Sequence, residues 1–453
     1  MKKLKVFLIK LCKKNKLLWR FLKKIKNHLT KLKKGVKKLK RRKNIFLTNL
    51  SKKNYLFRIT LRKIRHINRK SKYIYYMLTN KVDDKVILFE AFGGRNYTCS
   101  PKAIYEKMLT MEEFNDYKFV WSFINTKKHK IKEDERLIIV KTNSEDYFKY
   151  FASAKYWIVN SMVPLHFIKK KDQIYIQCWH GTPLKKLRYD IKADGNIFNT
   201  QKEWKKSNDI DAKRFDFFIS PSKYCTEKFT SAFNLKALNK EHILIEEGYP
   251  RNDSLFNIDS NKILKLKKKL KINSAKKVLL YVPTFRDNQH ESGVGYTYDL
   301  QLDFKLLREK IGNNYIVLFR AHYLVASKID FSEYKDFVVN VSNYDDINDL
   351  YIISDIIITD YSSVFFDFAN LKRPIIFYMY DYDEYKNKLR DFYISMDELP
   401  GPIVKTQKEL EKAILDTDKH FVNNQEKYEK LNNKYNYLDD GNASERVIRR
   451  IFK

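Results

Sequence analysis

Two histidines stand where a reaction could be run. His180 ends the apolar run 174–179 and is followed at once by Gly181, Thr182 and Pro183. Gly and Pro punctuate a strand, so this imidazole is left at a strand end. A group that titrates near neutrality can take a proton there, and its protonated form can hold an anion. The plainer alternative is a histidine tied down in a turn; the strand-end position and the HGTP context favour the chemical reading. The second is His322, in Arg320-Ala321-His322, after the run 315–319. An Arg and a His two residues apart on an extended end can both reach one phosphate, the competing reading being a surface pair.

Two further segments have the same form. Thr284 and Arg286 follow the run 278–282 and offer a hydroxyl and a guanidinium. Thr359-Asp360-Tyr361-Ser362-Ser363 follows 356–358 and precedes VFFDFANL. Ser362 and Ser363 would open a helix, where hydroxyls and free N–H groups make an anion site. Simple N-capping by either serine uses the same geometry. Asp367 lies about one helical turn further on and could face the same cleft. The stretch 344–349, YDDIND, reads as a solvated helix start. There is no GxxxxGK[ST] loop or HExxH, no cluster of metal ligands, and Gly93-Gly94 is not a GxGxxG fingerprint.

These residues need a scaffold that lines up strand ends. Twelve apolar runs read as strands: 86–89, 118–123, 137–140, 156–160, 174–179, 215–220, 243–246, 278–282, 315–319, 338–341, 356–359 and 375–377. Helical patterns such as 101–109, 144–151, 222–229 and 348–354 lie between them. Alternation of this kind gives parallel sheets covered by helices on both faces. Twelve strands in one sheet is improbable, so two doubly wound α/β domains are expected. The lysine-rich stretch 257–277 marks the boundary, giving domains at 83–260 and 261–453. Ligands in such sheets bind beyond the carboxyl ends of the strands, which puts the chemistry in the cleft between the domains.

Ahead of residue 83 the sequence changes character. The whole chain has 453 residues and a net charge of +37. Residues 1–82 hold 30 of the 91 Lys+Arg and no carboxylate; the first is Asp83. Leu4, Leu11, Leu18, Ile25, Leu29, Leu32, Val36 and Leu39 recur at helical spacing among these lysines. A basic amphipathic helix of this kind lies on an anionic membrane surface. Packing on the protein's own body and nucleic-acid binding compete, but no zinc-finger spacing or RNP-type strand supports nucleic acid. Lysines interrupt each apolar stretch, against a signal peptide, and no run of about 18 apolar residues predicts a membrane span. A hydrophobic content of 43% excludes a wholly disordered chain, and 11 Gly with 9 Pro excludes a collagen-like one. Four scattered cysteines form no CxxC pair, which fits a reducing compartment.

Taken in order, ILFEAFGGRNYTCSPKAIYEKM, CWHGTPLKKL, GYPRND, YVPTFRD, FRAH, SDIIITDYSSVFFDFANLKRPIIFYMYDYDEY, RDFY and PGPIV resemble the CDP-glycerol glycerophosphotransferase family, which makes teichoic acids and similar polymers in bacteria. The resemblance spans about 85–405. It implies a GT-B-like pair of Rossmann domains, acceptor-side at 83–260 and CDP-donor-binding at 261–453. It also implies transfer of glycerol phosphate, or ribitol phosphate from CDP-ribitol, to a hydroxyl of a lipid-linked saccharide or growing polymer, with release of CMP. His180 would be the base. His322, Arg320, Thr284 and Arg286 would hold phosphate, with Asp360, Ser362, Ser363 and Asp367 on the donor side. Gly181, Thr182, Arg251 and Asp253 would face the acceptor.

No cofactor or metal is expected beyond the donor substrate. Residues 1–82 would hold the enzyme on the inner face of a bacterial cell membrane. Two departures touch loop geometry: Tyr323 stands where the family's RxHP motif has proline, and Asp391 where RGFY has glycine. The alternatives are a GT-B glycosyltransferase using a nucleotide sugar, and a basic surface-binding protein whose body only binds nucleotide.

Overall fold

The computed structural model describes residues 55–191, 201–284, 286, 290–291, 295–296, 301–321, 330–386 and 391–452. The chain forms two compact units, Met1–Asn68 and Arg69–Lys453. In the first, the described residues belong to a 25-residue helix, Tyr55–Thr79. The expected apolar stripe from Leu4 to Leu39 lies outside the described residues. Among the described residues, no helix is long and apolar enough to cross a membrane. The second unit opens with the end of that same helix. There Tyr73 is buried, donates its hydroxyl to the Ile168 carbonyl (2.5 Å) and packs edge-on against Phe167.

The rest of the second unit is two parallel α/β sheets. The first contains β1 (Asp83–Glu90), β2 (Lys118–Phe123), β3 (Leu137–Lys141), β4 (Ala154–Val159), β5 (Ile174–Gln177), β6 (Phe217–Ser220) and β7 (Leu244–Glu246), in the order β3-β2-β1-β4-β5-β6-β7. The second contains β8 (Lys277–Val282), β11 (Tyr315–Phe319), β12 (Val338–Asn340), β13 (Ile356–Thr359), β14 (Ile375–Tyr378) and β15 (Ile403–Val404), in the order β12-β11-β8-β13-β14-β15. Between β8 and β11 lies a two-stranded antiparallel ribbon, β9 (His290–Glu291) and β10 (Gly295–Tyr296).

The strand sequences explain the layering. Runs such as VLLY and YIVLF are buried along their whole length, because helices cover both faces of a parallel sheet. The expected boundary stretch holds the helix Ser260–Lys269, whose Leu266 joins the core of the second sheet. One element crosses back. The last helix, Ala443–Ile451, belongs by sequence to the second domain, yet its Val447, Ile448 and Ile451 pack into the core of the first sheet.

Candidate active site

Parallel pairing sends all the carboxyl ends of a sheet to one edge. In the first sheet β1, β4 and β5 are neighbours, so the segments after Glu90, Val159 and Gln177 lie side by side. His180 comes from the last of these. Its Nδ1 is 2.7 Å from the backbone carbonyl of Asn160, the residue that follows β4. A carbonyl oxygen only accepts, so Nδ1 carries the proton and Nε2 is left with its lone pair. Asn160 is itself fixed, accepting from the Phe92 N–H at 2.8 Å. The imidazole is half-buried against Trp179 (ring centroids 4.2 Å) and Phe92 (5.6 Å). Burial above all holds its pKa down to about 4; the Asn160 bond opposes this, and the charges of Arg251 and Arg188 add to it. His180 is therefore neutral at pH 7. The strain needed to place it is visible one residue earlier, where Trp179 has φ +49°, a conformation rarely adopted by a bulky side chain.

The loop carrying His180 is clamped by the second domain. A Cβ on Gly181 would come within 2.5 Å of the Ser363 hydroxyl, so only glycine lets these segments close to that distance. Lys186 N–H donates to the Asp391 carbonyl and Tyr393 N–H to the Leu184 carbonyl, both at 2.9 Å. Thr182 is buried and bonds the Cys225 thiol, whose pKa burial raises to about 12. Arg251 donates to the His180 carbonyl at 2.7 Å and pairs with both oxygens of Asp367 at 2.8 Å. Burial disfavours the Arg251 charge, but the Asp367 carboxylate outweighs that and its pKa is raised. Asn252 bridges Asp367 (3.1 Å) and Asp439 (2.7 Å).

In the second sheet the motif strands β11, β8 and β13 are also neighbours. Asp360, just after β13, accepts the Thr284 N–H (3.0 Å) and an Arg286 N–H (2.9 Å). Arg286 also donates twice to Asp381, at 2.7 and 2.9 Å, and stacks on Tyr361, Tyr380 and Tyr385. Its guanidinium thus ties two carboxylates together inside the protein. Ser362 and Ser363 are half-buried at the start of the helix Val364–Ala369, and the Ser363 side chain makes no capping bond. The Thr284 hydroxyl is buried without a partner among the described residues. Arg320 donates to the carbonyls of Val341 (3.2 Å) and Tyr344 (2.8 Å). His322 lies outside the described residues.

The structure therefore brings His180, Gly181, Arg251, Ser363 and Asp367 into one cluster, and Thr284, Arg286 and Asp360 into a second, joined to it through the segment 360–363. Asp253 goes elsewhere. Its two oxygens accept the N–H groups of Ala443 (2.9 Å) and Ser444 (2.8 Å), capping the last helix. The expected solvated helix start at 344–349 is corrected as well. Asp345 meets Asn96 (3.0 Å), His129 (2.7 Å) and Lys128 (3.0 Å), and Asp346 meets Lys102 (2.5 Å), all from the first domain. No group of three or more His, Cys, Asp or Glu side chains among the described residues is placed to hold a metal ion.

Residues 71–453 match the model of a family described as CDP-Glycerol:Poly(glycerophosphate) glycerophosphotransferase. The chain belongs to this family. It is similar to the teichoic acid poly(glycerol phosphate) polymerase of Staphylococcus epidermidis, at 41% identity over 400 residues, 86% of this chain and 54% of that protein. The chain thus spans about half the length of that relative, and also 55% of a Bacillus subtilis protein of the same name. A teichoic acid glycerol-phosphate transferase of Staphylococcus aureus is 39% identical over 86% of this chain and 99% of its own length. Among solved structures, the wall teichoic acid polymerase TagF superposes with a TM-score of 0.78 at 39% identity, over 87% of this chain and 97% of that one.

Within this member of the family, four residues of the two clusters and their surroundings, Asn160, Arg188, Asn252 and Asp381, were not singled out from the sequence. Asn160 carries a usable signal, since it closes the apolar run 156–160 at a strand's carboxyl end. Asp381 carried none: only the fold brings it to Arg286.

Proposed function

We propose that this chain transfers glycerol phosphate from CDP-glycerol to a hydroxyl of a membrane lipid-linked acceptor or growing polymer. The observation that carries this reading is the neutral His180. Its Nδ1–H is engaged by Asn160, which leaves Nε2 as the basic nitrogen, and Gly181, the next residue, meets Ser363 at the helix start of the second domain. The acceptor hydroxyl gives its proton to Nε2 as its oxygen attacks the β-phosphorus of the donor. The new P–O bond forms, the bridging P–O bond of the pyrophosphate breaks, and CMP leaves with its phosphate. A general base of this kind contributes roughly 10²–10⁴-fold.

The donor phosphates are held by Ser362, Ser363, the Thr284 hydroxyl and the open N–H groups of the helix start, with His322 beyond β11 completing the charge. Arg286, Asp360, Arg320 and Asp367 act mainly by fixing these segments, because their charged groups are already engaged by protein. The basic segment 1–82 keeps the enzyme at an anionic membrane surface, on the cytoplasmic face.

The family membership and the names of the relatives support glycerol phosphate as the transferred unit. The test offers the full-length protein CDP-glycerol, CDP-ribitol and UDP-sugars with a glycerol-phosphate oligomer as acceptor. Release of CMP and lengthening of the oligomer by one glycerol phosphate unit for each CMP is the expected result. Nucleotide release from UDP-sugars alone would replace this reading with a glycosyltransferase.

A further inference from the structure

Arg188 has no assigned task, yet it occupies a costly position. Its backbone has φ +45°, in the left-handed region that favours glycine. The turn Arg188–Asp190 is held there from both sides. Leu187 N–H donates to the Tyr393 hydroxyl at 3.1 Å, and Asp190 accepts from Ser231 at 2.7 Å and from Tyr393. A strained arginine kept in place by its surroundings is a functional signature.

The side chain gives the second observation. The guanidinium stacks over Trp179 (5.4 Å) and Phe233 (4.4 Å). It makes no hydrogen bond or ion pair with any described residue. Asp211 attracts it, but the hydrogen bonds of that carboxylate go to Arg214 and Tyr175. Five N–H donors are thus presented half-buried beside aromatic rings, which strengthens whatever anion they meet. Trp179 also touches the His180 ring, and Arg188 is close enough for its charge to lower the basicity of His180.

We propose that Arg188 is a phosphate-binding residue on the first domain, holding a phosphate or phosphodiester anion next to His180. The anion is the terminal phosphodiester of the growing acceptor or the pyrophosphate of the donor. This inference rests on the glycerophosphotransferase reading and gives its first domain a positive contact of its own. An acceptor whose terminal glycerol is attached through a phosphodiester would then be drawn in ahead of one without that phosphate.

The test uses full-length protein carrying Arg188→Gly or Arg188→Lys. Glycine removes the guanidinium and relieves the backbone, so this variant should melt no lower than wild type. Calorimetry measures binding of an alkyl-linked glycerol-phosphate trimer, an alkyl glycerol without phosphate, and CDP-glycerol. Loss of a charge-assisted contact should weaken one phosphate ligand by about 10–100-fold in Arg188→Gly. Arg188→Lys should recover part of it, and the phosphate-free glycerol should be unaffected. A loss confined to the trimer assigns the acceptor phosphate; a loss confined to CDP-glycerol assigns the donor. Unchanged binding of both, or a lower melting temperature with unchanged binding, overturns the proposal and leaves Arg188 as a structural cation for Asp211. A wild-type protein that binds the trimer but never turns over CDP-glycerol fails the reaction reading instead, and is recognised separately.

Discussion

Gly181 and Ser363 meet so closely that a methyl group on Gly181 would lie 2.5 Å from the Ser363 hydroxyl oxygen and 3.3 Å from its Cβ. Gly181→Ala must therefore push the two segments apart. Overpacking of this kind costs about 1–3 kcal/mol, and turnover should fall as His180 moves away from the helix start. Adding Ser363→Ala removes the nearest atom. Thermal unfolding of both single variants and the double should show the double regaining stability relative to Gly181→Ala. Simple additivity would mean that the contact is not what excludes the methyl group.

His180 should set the acid limb of the rate profile. Its pKa of about 4 lies well below the ordinary 6.5. The base is deprotonated throughout the neutral range, so kcat/KM should stay flat as pH falls through 6.5 and drop only near 4. The depressed value also makes His180 contribute stability above 6.5 that is lost as pH falls toward 4. His180→Ala should reduce kcat by ~10²–10⁴ while CDP-glycerol still binds. A folded His180→Ala protein with near-normal turnover would remove it from the mechanism.

Arg251 and Asp367 form a pair buried on both sides, at 9% and 4% exposure. Removing one member strands the other charge, so Arg251→Ala or Asp367→Ala should each destabilise by about 3–5 kcal/mol. Replacing both with apolar residues of similar size should cost less than either alone. Urea denaturation of the three variants measures this.

Asp439 titrates in the opposite sense to His180. Burial above all raises its carboxyl from 3.8 to about 6, with the Asp367 charge adding to the rise. Its contribution is fully present below about 4 and is lost as pH climbs through 6. In Asp439→Asn the stability curve between pH 4 and 6 should lose that component, read by chemical denaturation at stepped pH.

Liposome co-sedimentation tests the basic segment. The full chain should bind anionic vesicles strongly at low salt and less as salt rises, at roughly 1 kcal/mol per Lys or Arg near the surface. A shortened chain should begin at Arg69 and not at Asp83, because Tyr73 is part of the core. Equal vesicle binding by the shortened chain would show that the segment is not the anchor.

Much of the scaffold was legible because parallel strands buried on both faces are unbroken apolar runs; KFVWSF, YIVLF and IIIT form strands with the expected bounds. The two-residue strand Ile403–Val404 was not, since two residues carry no period. The helix Gln201–Ala212 is mostly polar and gave no stripe. In the site, position at a strand end exposed His180, Thr284 and Asp360. Partnership was invisible. Nothing local tells that Asp345 meets His129 or that Arg286 is shared by Asp360 and Asp381, because those contacts exist only once two sheets are built and docked. Arg188 was missed because a left-handed backbone leaves no mark on an arginine.

The returning helix Ala443–Ile451 alters the order in which the molecule can be completed during synthesis. Domains made on the ribosome generally fold as they emerge, the amino-terminal one first. Here the core of the first sheet includes Val447, Ile448 and Ile451. The domain translated first keeps an open face until residues 443–451 leave the ribosome, after the whole second sheet has been made.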